Sequence, residues 1–448
     1  MWCFLCIFDI ILIMKLNEVF LDRMKGLLGD NFDAFLESLN NPIVKSIYVN
    51  ENKISIEEFK KIVNFSIEQI PYEKAGFYVD NDKKGRHPLH HAGAFYMQEP
   101  SAMFTINSIN FNGDEKVLDM CAAPGGKTIQ IANRIPNGVL VSNEIVKSRS
   151  EILFSNVERM GLKNVIVAND TPENIADAYG DIFDVCVVDA PCSGEGMFRR
   201  GDEVSNQWNE NLDAMCAERQ LEILSHADKT LKQGGKLIYS TCTYSKKENE
   251  DVVLEFLKTH NYELININYP FSRGIGLRET VRLYPHENKG EGQFVAVMVK
   301  KQYNNNSCYS SMKLTNSKIT NDFIKTYTTL NCDCVEYKNH MYATPCKELV
   351  KKHMNYVSIG VRLGKVESNR FEPHHNLFTA FGKDFKIKLN LNFEDEEVAK
   401  YLKGETIDVD LPDGYGALII NGCSLGGFKI SKGKFKNYYP KGLRNFNI

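Results

Sequence analysis

The chain has 448 residues, 43% of them hydrophobic and 25% charged, the balance of a globular protein rather than a fibrous or disordered one. That length exceeds what one hydrophobic core serves, so two or three domains are expected. The formal net charge of −3 hides an uneven distribution, since residues 303–448 carry 21 Lys and Arg against 15 Asp and Glu while residues 1–302 carry 33 against 42.

Residues 1–13 are strongly apolar, yet the run is shorter than a bilayer-spanning helix and contains Asp9. No basic residue precedes it and no small-residue cleavage site follows. From Met14 the pattern is that of an ordinary amphipathic start, with Val19, Phe20, Met24, Leu27 and Leu28 at helical spacing. Translation is therefore expected to begin at Met14, with 1–13 a non-native extension; N-terminal mass spectrometry of the native protein checks this. Residues 14–86 then read as a small α+β unit, with helices over 19–39 and 56–63 and an extended piece at 46–49.

Over 87–302 the pattern becomes regular. A Gly-, His- and Pro-rich connector leads into a helix near Pro100. Apolar runs at 116–120, 138–143, 164–168, 183–189, 236–240 and 294–300 then alternate with helical stretches at 128–134, 147–160, 212–231 and 246–258. Val-, Ile- and Leu-rich strands interleaved with helices predict a doubly wound α/β domain, a parallel sheet covered on both faces. The polar stretch 303–312 reads as a linker. Beyond it, short strands such as 385–391 and 417–420 among Gly-rich turns predict a β-rich module over 313–448. Its end holds Lys429, Lys432, Lys434, Lys436, Lys441 and Arg444 without an acid, a field that suits a polyanion but also a solvated tail.

The twelve cysteines are scattered rather than spaced as a disulfide framework, which fits reduced thiols in a cytoplasm. Cys3/Cys6 and Cys332/Cys334 lack a second pair at zinc-binding spacing, so no metal is expected.

The first strand of the regular domain runs into Cys121, Ala122, Ala123, Pro124, Gly125, Gly126 and Lys127. A glycine turn between a strand and a helix is where doubly wound sheets bind nucleotide-like ligands. The pattern is neither G-x-x-x-x-G-K-[ST] nor G-x-G-x-x-G, so phosphate cradling is not implied. Glu144, Asp170 and Asp189 follow the next three strands, where carboxylates suit a ribose, an adenine amine or a cationic centre; any one of them could instead cap a helix. Cys192 and Cys242 leave neighbouring strands at the same sheet edge. Each alone reads as a small core residue, but together beside the glycine turn they suggest a thiolate nucleophile with a second thiol.

The segments DMCAAPGGKT (119–128), DAPCSGEG (189–196) and YSTCTYSKKENED (239–251), in this order, resemble the NOL/NOP/Sun family of RNA cytosine-5 methyltransferases. QEPSAM (98–103) and RLYPHENKGEGQFVAVM (282–298) match further family segments, and NYYPKGLR (437–444) is similar to the ending of the subgroup acting on small-subunit ribosomal RNA. The resemblance extends over nearly the whole chain from Met14. It implies a Rossmann-like methyltransferase core at 87–302, S-adenosyl-L-methionine as cofactor, an RNA-binding unit at 14–86 and a PUA-like RNA-binding domain at 313–448. By the same resemblance Cys242 is the nucleophile, Cys192 assists product release, Asp189 partners the target base and Lys127, otherwise a solvated helix-start lysine, lies near that base. The cofactor would meet Cys121–Lys127, then Glu144 at the ribose, Asp170 at the adenine and Asp189 at the methionine end. Tyr244 stands where the family usually has an aromatic or similar residue. The implied partner is 16S ribosomal RNA or the small subunit, met in the cytoplasm by a monomer that needs neither metal nor membrane. Two other readings are the same chemistry on transfer RNA or large-subunit RNA, and a non-catalytic RNA-binding assembly factor.

Overall fold

The computed structural model describes residues 16–80, 84–200, 208–209, 211–303 and 306–444. The expected extension 1–13 and the start at Met14 lie outside these residues. No helix among the described residues is long and apolar enough to cross a membrane.

The chain begins with two helices, Glu18–Leu28 and Phe32–Leu39, where the periodicity predicts one over 19–39. The break falls at Gly29, whose φ of 52° is open to glycine and terminates the first helix. Both helices lay Phe20, Met24, Phe35 and Leu36 against Trp208, Tyr244 and Tyr284 of the next domain. Strands β1 (Lys45–Val49), β2 (Ile67–Gln69), β3 (Gly76–Val79) and β4 (Phe95–Met97) form an antiparallel sheet in the order β2-β3-β1-β4. Between β1 and β2 the helix Ile56–Ile62 opens with a Ser55–Glu58 capping box, which satisfies two otherwise unpaired amides.

The central sheet is built from β5 (Lys116–Asp119), β6 (Val139–Asn143), β7 (Val165–Ala168), β8 (Phe183–Asp189), β9 (Leu231–Thr241), β10 (Tyr262–Leu264), β11 (Ser272–Gly274), β12 (Leu277–Leu283) and β13 (Gln293–Lys300). Its order is β11-β12-β13-β9-β8-β5-β6-β7, with β10 also on β13. Strands β7, β6, β5, β8 and β9 are parallel. The expectation of a parallel sheet holds only for these five, because β13 returns antiparallel beside β9.

Alternate residues of the parallel strands enter opposite cores. Val117, Leu140, Val185 and Val187 pack under helices Gly126–Arg134 and Lys147–Met160. Leu118, Val141, Cys186 and Val188 pack under Pro172–Tyr179, Leu212–Asp228 and Glu250–Thr259. The last two helices are shorter than the periodicity suggests. Leu231 already belongs to β9, and residues 246–249 form a turn in which Thr241 Oγ1 donates to Asn249 Oδ1 at 2.5 Å.

Of the stretch 303–312, residues 304 and 305 lie outside those described; Tyr309 N donates to Ala178 O and Met312 N to Val350 O. Beyond it, β14 (Thr315–Asn316), β15 (Cys334–Tyr337) and β16 (His340–Ala343) lead to β17 (Tyr356–Ser358), which pairs antiparallel with β7 and so completes the edge of the central sheet. Strands β18 (Val361–Glu367) and β19 (Arg370–Pro373) finish a five-stranded sheet with β14, β15 and β16. A last sheet contains β20 (Ile387–Leu391), β21 (Gly414–Ile420), β22 (Cys423–Ser431) and β23 (Lys434–Asn437). Its apolar side, with Leu418, Ile420, Leu425 and Phe428, shares a core with Ile47, Phe59 and Phe95 of the N-terminal unit.

Candidate active site

The chain connections reverse direction between β5 and β8, and the crevice at the carboxyl ends of such strands is where open α/β sheets bind ligands. A cavity of about 260 Å³ lies there, lined on one side by the turn Cys121–Lys127 and on the other by Asp189, Cys242 and residues 291–293. The turn is held from behind: Ala122 N donates to Asn143 O at 2.8 Å, Arg149 Nη2 to Ala123 O and Asn156 Nδ2 to Pro124 O, both at 2.9 Å. Gly125 has φ 116°, a left-handed conformation that L side chains rarely adopt. A Cβ on Gly126 would stand 3.1 Å from the Gln98 side chain, which borders the same cavity.

The two cysteines meet. Cys192 follows β8, Cys242 follows the parallel neighbour β9, and their Sγ atoms are 3.3 Å apart. Cys242 borders the cavity, with Cys192 behind it. The contact with Cys242, reinforced by burial, holds the Cys192 thiol well above its ordinary pKa. Glu248 fixes the Cys192 loop: its carboxylate accepts from Ser193 Oγ, from Ser193 N at 2.9 Å and from Gln220 Nε2 at 3.0 Å. Gly196 N donates to Cys242 O at 2.8 Å, tying the two loops together. Tyr244, two residues past Cys242, is buried and stacks on Tyr284 with ring centroids 5.5 Å apart. A Cβ on Gly292 would come within 2.5 Å of the Tyr244 ring, so only glycine fits between that ring and the cavity.

Lys127 is not a solvated lysine. It is buried at the first turn of its helix, with Nζ 2.7 Å from Asp189 Oδ2, while Asp189 Oδ1 accepts from Ser240 Oγ at 2.7 Å. This ion pair stands at the cavity wall with Cys242.

The other two acids lie outside the lining. Glu144 is buried, and its Oε1 accepts from Val146 N at 2.9 Å while Oε2 faces Arg149 Nη1 at 3.5 Å. Asp170 accepts from Thr171 N at 3.0 Å and, through Oδ2, from Asn355 N at 2.9 Å. Its carboxylate is thus engaged by the loop that precedes β17.

Several lining residues were missed from sequence. Asp119, at the carboxyl end of β5, is fully buried; Thr128 Oγ1 donates to its Oδ2 at 2.8 Å, and its Oδ1 has no partner among the described residues. Burial raises its carboxyl to about 7 despite the Thr128 hydrogen bond. The strand-end rule that picks Glu144 and Asp189 applies equally to Asp119. Glu291 is raised to about 7 by burial and by Glu99, against the pull of Arg200, whose Nε donates to Glu291 Oε2 at 2.9 Å. Gln98 is oriented by Gln130, to whose Oε1 its Nε2 donates at 2.7 Å. Gln98 and Glu291 lie in the segments 98–103 and 282–298 that carry the family resemblance, which marks them without pointing to this cavity; Arg200 is brought here by long-range folding.

The assembled groups comprise two thiols at the cavity, Cys121 on the glycine turn and Cys242 opposite it, a third thiol touching Cys242, a Lys–Asp ion pair and an unpaired buried carboxyl oxygen. A thiolate nucleophile with an adjacent sulfur proton carrier is within their chemistry. No group of three or more His, Cys, Asp or Glu among the described residues is arranged to hold a metal ion.

Comparison with known proteins gives consistent results. The family described as 16S rRNA methyltransferase RsmB/F matches residues 106–299, the N-terminal domain of 16S rRNA methyltransferase RsmF matches 16–100, and the methyltransferase RsmF PUA domain matches 388–445. Ribosomal RNA small subunit methyltransferase F of Salmonella paratyphi A is 33% identical over 301 residues, 63% of this chain and 63% of its own length. The chain thus spans less than two thirds of that relative, whereas the Vibrio campbellii protein of the same name aligns over 95% of this chain and 97% of its own at 27% identity. Among solved structures, a methyltransferase homolog from Pyrococcus horikoshii has TM-score 0.59 and 27% identity over 66% of this chain and 99% of its own. NSun6 from the same organism shares the fold, with TM-score 0.57 and 22% identity over 64% of this chain and 98% of its own.

Proposed function

The chain belongs to the family of 16S rRNA methyltransferases RsmB/F, and from that premise we propose that it methylates carbon-5 of a cytosine in 16S ribosomal RNA through a covalent cysteine adduct. The observation that carries this reading is the 3.3 Å contact between the Cys192 and Cys242 sulfurs beside the Lys127–Asp189 pair.

Carbon-5 of cytosine is too weak a nucleophile to take a methyl group unaided. Addition of the Cys242 thiolate to carbon-6 breaks the 5,6 double bond and moves its electron pair toward carbon-5, which then attacks an electrophilic methyl group. Asp189, held by Lys127 and Ser240, lies at the same wall; with the Lys127 proton passed to its carboxyl it donates a hydrogen bond to ring N3 as negative charge develops there. Once Cys242 is bonded to carbon-6 its sulfur no longer holds the Cys192 proton, so Cys192 gives that proton to solvent and, as thiolate, takes the carbon-5 proton; the electron pair left behind re-forms the double bond and expels Cys242 as thiolate.

S-adenosyl-L-methionine supplies the electrophilic methyl group when bound. The glycine turn and the unpaired Asp119 Oδ1 fit such a ligand, the former by allowing close backbone approach and the latter as a free acceptor. Cys121–Lys127, Asp119 and Asp189 would hold it, with Glu144 and Asp170 reaching it only if their present hydrogen bonds are shared. The N-terminal unit, which β4 extends from the expected 14–86 to Met97, and the module over 313–448 after the linker 303–312 would grip RNA, in the cytoplasm where 16S RNA is assembled.

The test is Cys192→Ala. This variant should form the Cys242 adduct and fail to release it, leaving RNA covalently attached as a shifted band on a denaturing gel. The band should vanish in the Cys192→Ala/Cys242→Ala double variant. Normal turnover without a band would reduce Cys192 to a core thiol and overturn the mechanism.

A further inference from the structure

A second cavity, of about 150 Å³, opens where three parts of the chain meet. Lys53 enters from the N-terminal unit, Gly161 and Lys163 from the end of helix Lys147–Met160, and Thr379 and Lys383 from helix His375–Phe381 and the turn after it. No carboxylate lines it, and among the described residues none of the three lysines forms an ion pair. Lys53 is only 7% exposed, yet its Nζ donates only to backbone carbonyls, Thr379 O and, at 3.2 Å, Ser424 O. Lys383 Nζ donates to Lys53 O at 3.1 Å, and Lys163 Nζ stands 4.8 Å from the Phe381 ring centroid.

A buried ammonium beside two more cations is costly unless an anion meets it. Burial lowers Lys53 to about 7; Cys423 pulls the other way, and Lys163, Lys383 and Arg159 each add a smaller push in the direction of burial. The local backbone preserves room around the ammonium. Gly161 has φ +63°, and a Cβ there would stand 2.9 Å from both Lys53 Cε and Nζ. A small concave space with three converging ammonium groups and no acid has the size and charge to hold a tetrahedral oxyanion.

We propose that this cavity binds a phosphate group between Lys53, Lys163 and Lys383, clamping the N-terminal unit, the central domain and the C-terminal module together. The phosphate comes either from the RNA backbone or from free inorganic phosphate. The site shares no lining residue with the cavity at Cys242, so it stands whether or not methyl transfer does.

Lys163 and Lys383 are exposed, so the double variant Lys163→Gln/Lys383→Gln should fold; its melting temperature checks that it does. Calorimetric titration of the full chain with inorganic phosphate, at ionic strength held constant with chloride, should show binding that this variant weakens on the order of tenfold or more. A parallel titration with a short single-stranded RNA separates the sources. RNA affinity lost in the variant, together with competition by phosphate, assigns the ligand to the RNA backbone. Unchanged RNA affinity with weakened phosphate binding assigns it to free phosphate. Equal phosphate binding by the wild type and the variant, including none by either, overturns the proposal.

Discussion

The two cavities are built by opposite rules. The one at Cys242 gathers Asp119, Asp189, Glu99 and Glu291 around Lys127 and Arg200 from residues 96–293, over the carboxyl ends of the central parallel strands. The other gathers three lysines and no acid from residues 52–424, at the junction of separately built layers. Burial drives Asp119 up to about 7 and Lys53 down to about 7, so both are held near neutrality from opposite directions. The direction of each shift indicates the ligand charge that would relieve it: a proton donor or cation in the first cavity, an anion in the second.

The largest effect separates the cavities by chemistry. Cys242→Ala should lower methyl transfer on the order of 10⁴-fold or more, while phosphate binding at the distant junction cavity stays within about twofold and S-adenosyl-L-methionine binding persists because Asp119 and the glycine turn, not Cys242, would hold it. Loss of cofactor binding in this variant would mean that Cys242 shapes the cavity rather than reacts in it.

The next effects separate them by pH. An acid whose folded pKa is raised loses stability as pH climbs from its ordinary value to the folded one, because the unfolded chain releases its proton first. Asp119 should therefore cost stability between 3.8 and about 7, with a slope of up to about 1.4 kcal/mol per pH unit. Urea unfolding of Asp119→Asn should show less decline than wild type across that window. Lys53 should act in the opposite sense. As pH falls from 10.5 to about 7, the unfolded chain gains a proton that the folded chain resists. Lys53→Met, compared with wild type at pH 9.5 and pH 7, should gain relative stability at the lower pH by up to a comparable slope; parallel pH curves for wild type and variant would refute the assigned charge logic.

The smallest effect concerns the basic C-terminal end. Lys434 and Lys436 flank the buried Phe435 on β23 and are exposed, as is Lys441, whereas Arg444 is partly buried against Gly404. Replacing the three lysines by Ala should weaken RNA binding and flatten its log–log salt dependence by up to about 0.7 per phosphate contact. An unchanged slope would return this strand to a solvated surface and leave phosphate contact to the junction cavity.

Where the sequence succeeds here, short-range patterns suffice. Two cysteines placed after two adjacent apolar strands must emerge at one sheet edge once the strands pair in parallel, and the glycine turn lies at that edge by the same logic. Asp119 is legible by the same strand-end rule. Glu291 lies in the resembling segment 282–298, but neither its pattern nor that of Arg200 points to the cavity they reach. Lys53, Lys163 and Lys383 are separated by 110 and 220 residues, and each alone reads as a surface lysine. Asp170 reads as a ligand-facing acid, but its carboxylate meets Asn355 N, a partner that only the return of the chain to the sheet edge supplies. Lys127 is placed near the target base by the family resemblance, and only the folded chain shows the Asp189 pairing that buries it.

That return of the chain has a consequence for synthesis. Strand β7 is a well-buried, Val-rich strand whose outer hydrogen-bonding edge is taken by β17. A nascent chain that has emerged only as far as residue 300 has already made every parallel strand of the central sheet, yet presents β7 as an open edge, the kind of surface that recruits strands from other chains. More than fifty further residues must leave the ribosome before Tyr356–Ser358 can close it. Crowded polysomes, or a truncation placed at the end of the catalytic domain, would therefore expose the molecule to strand-swapped association.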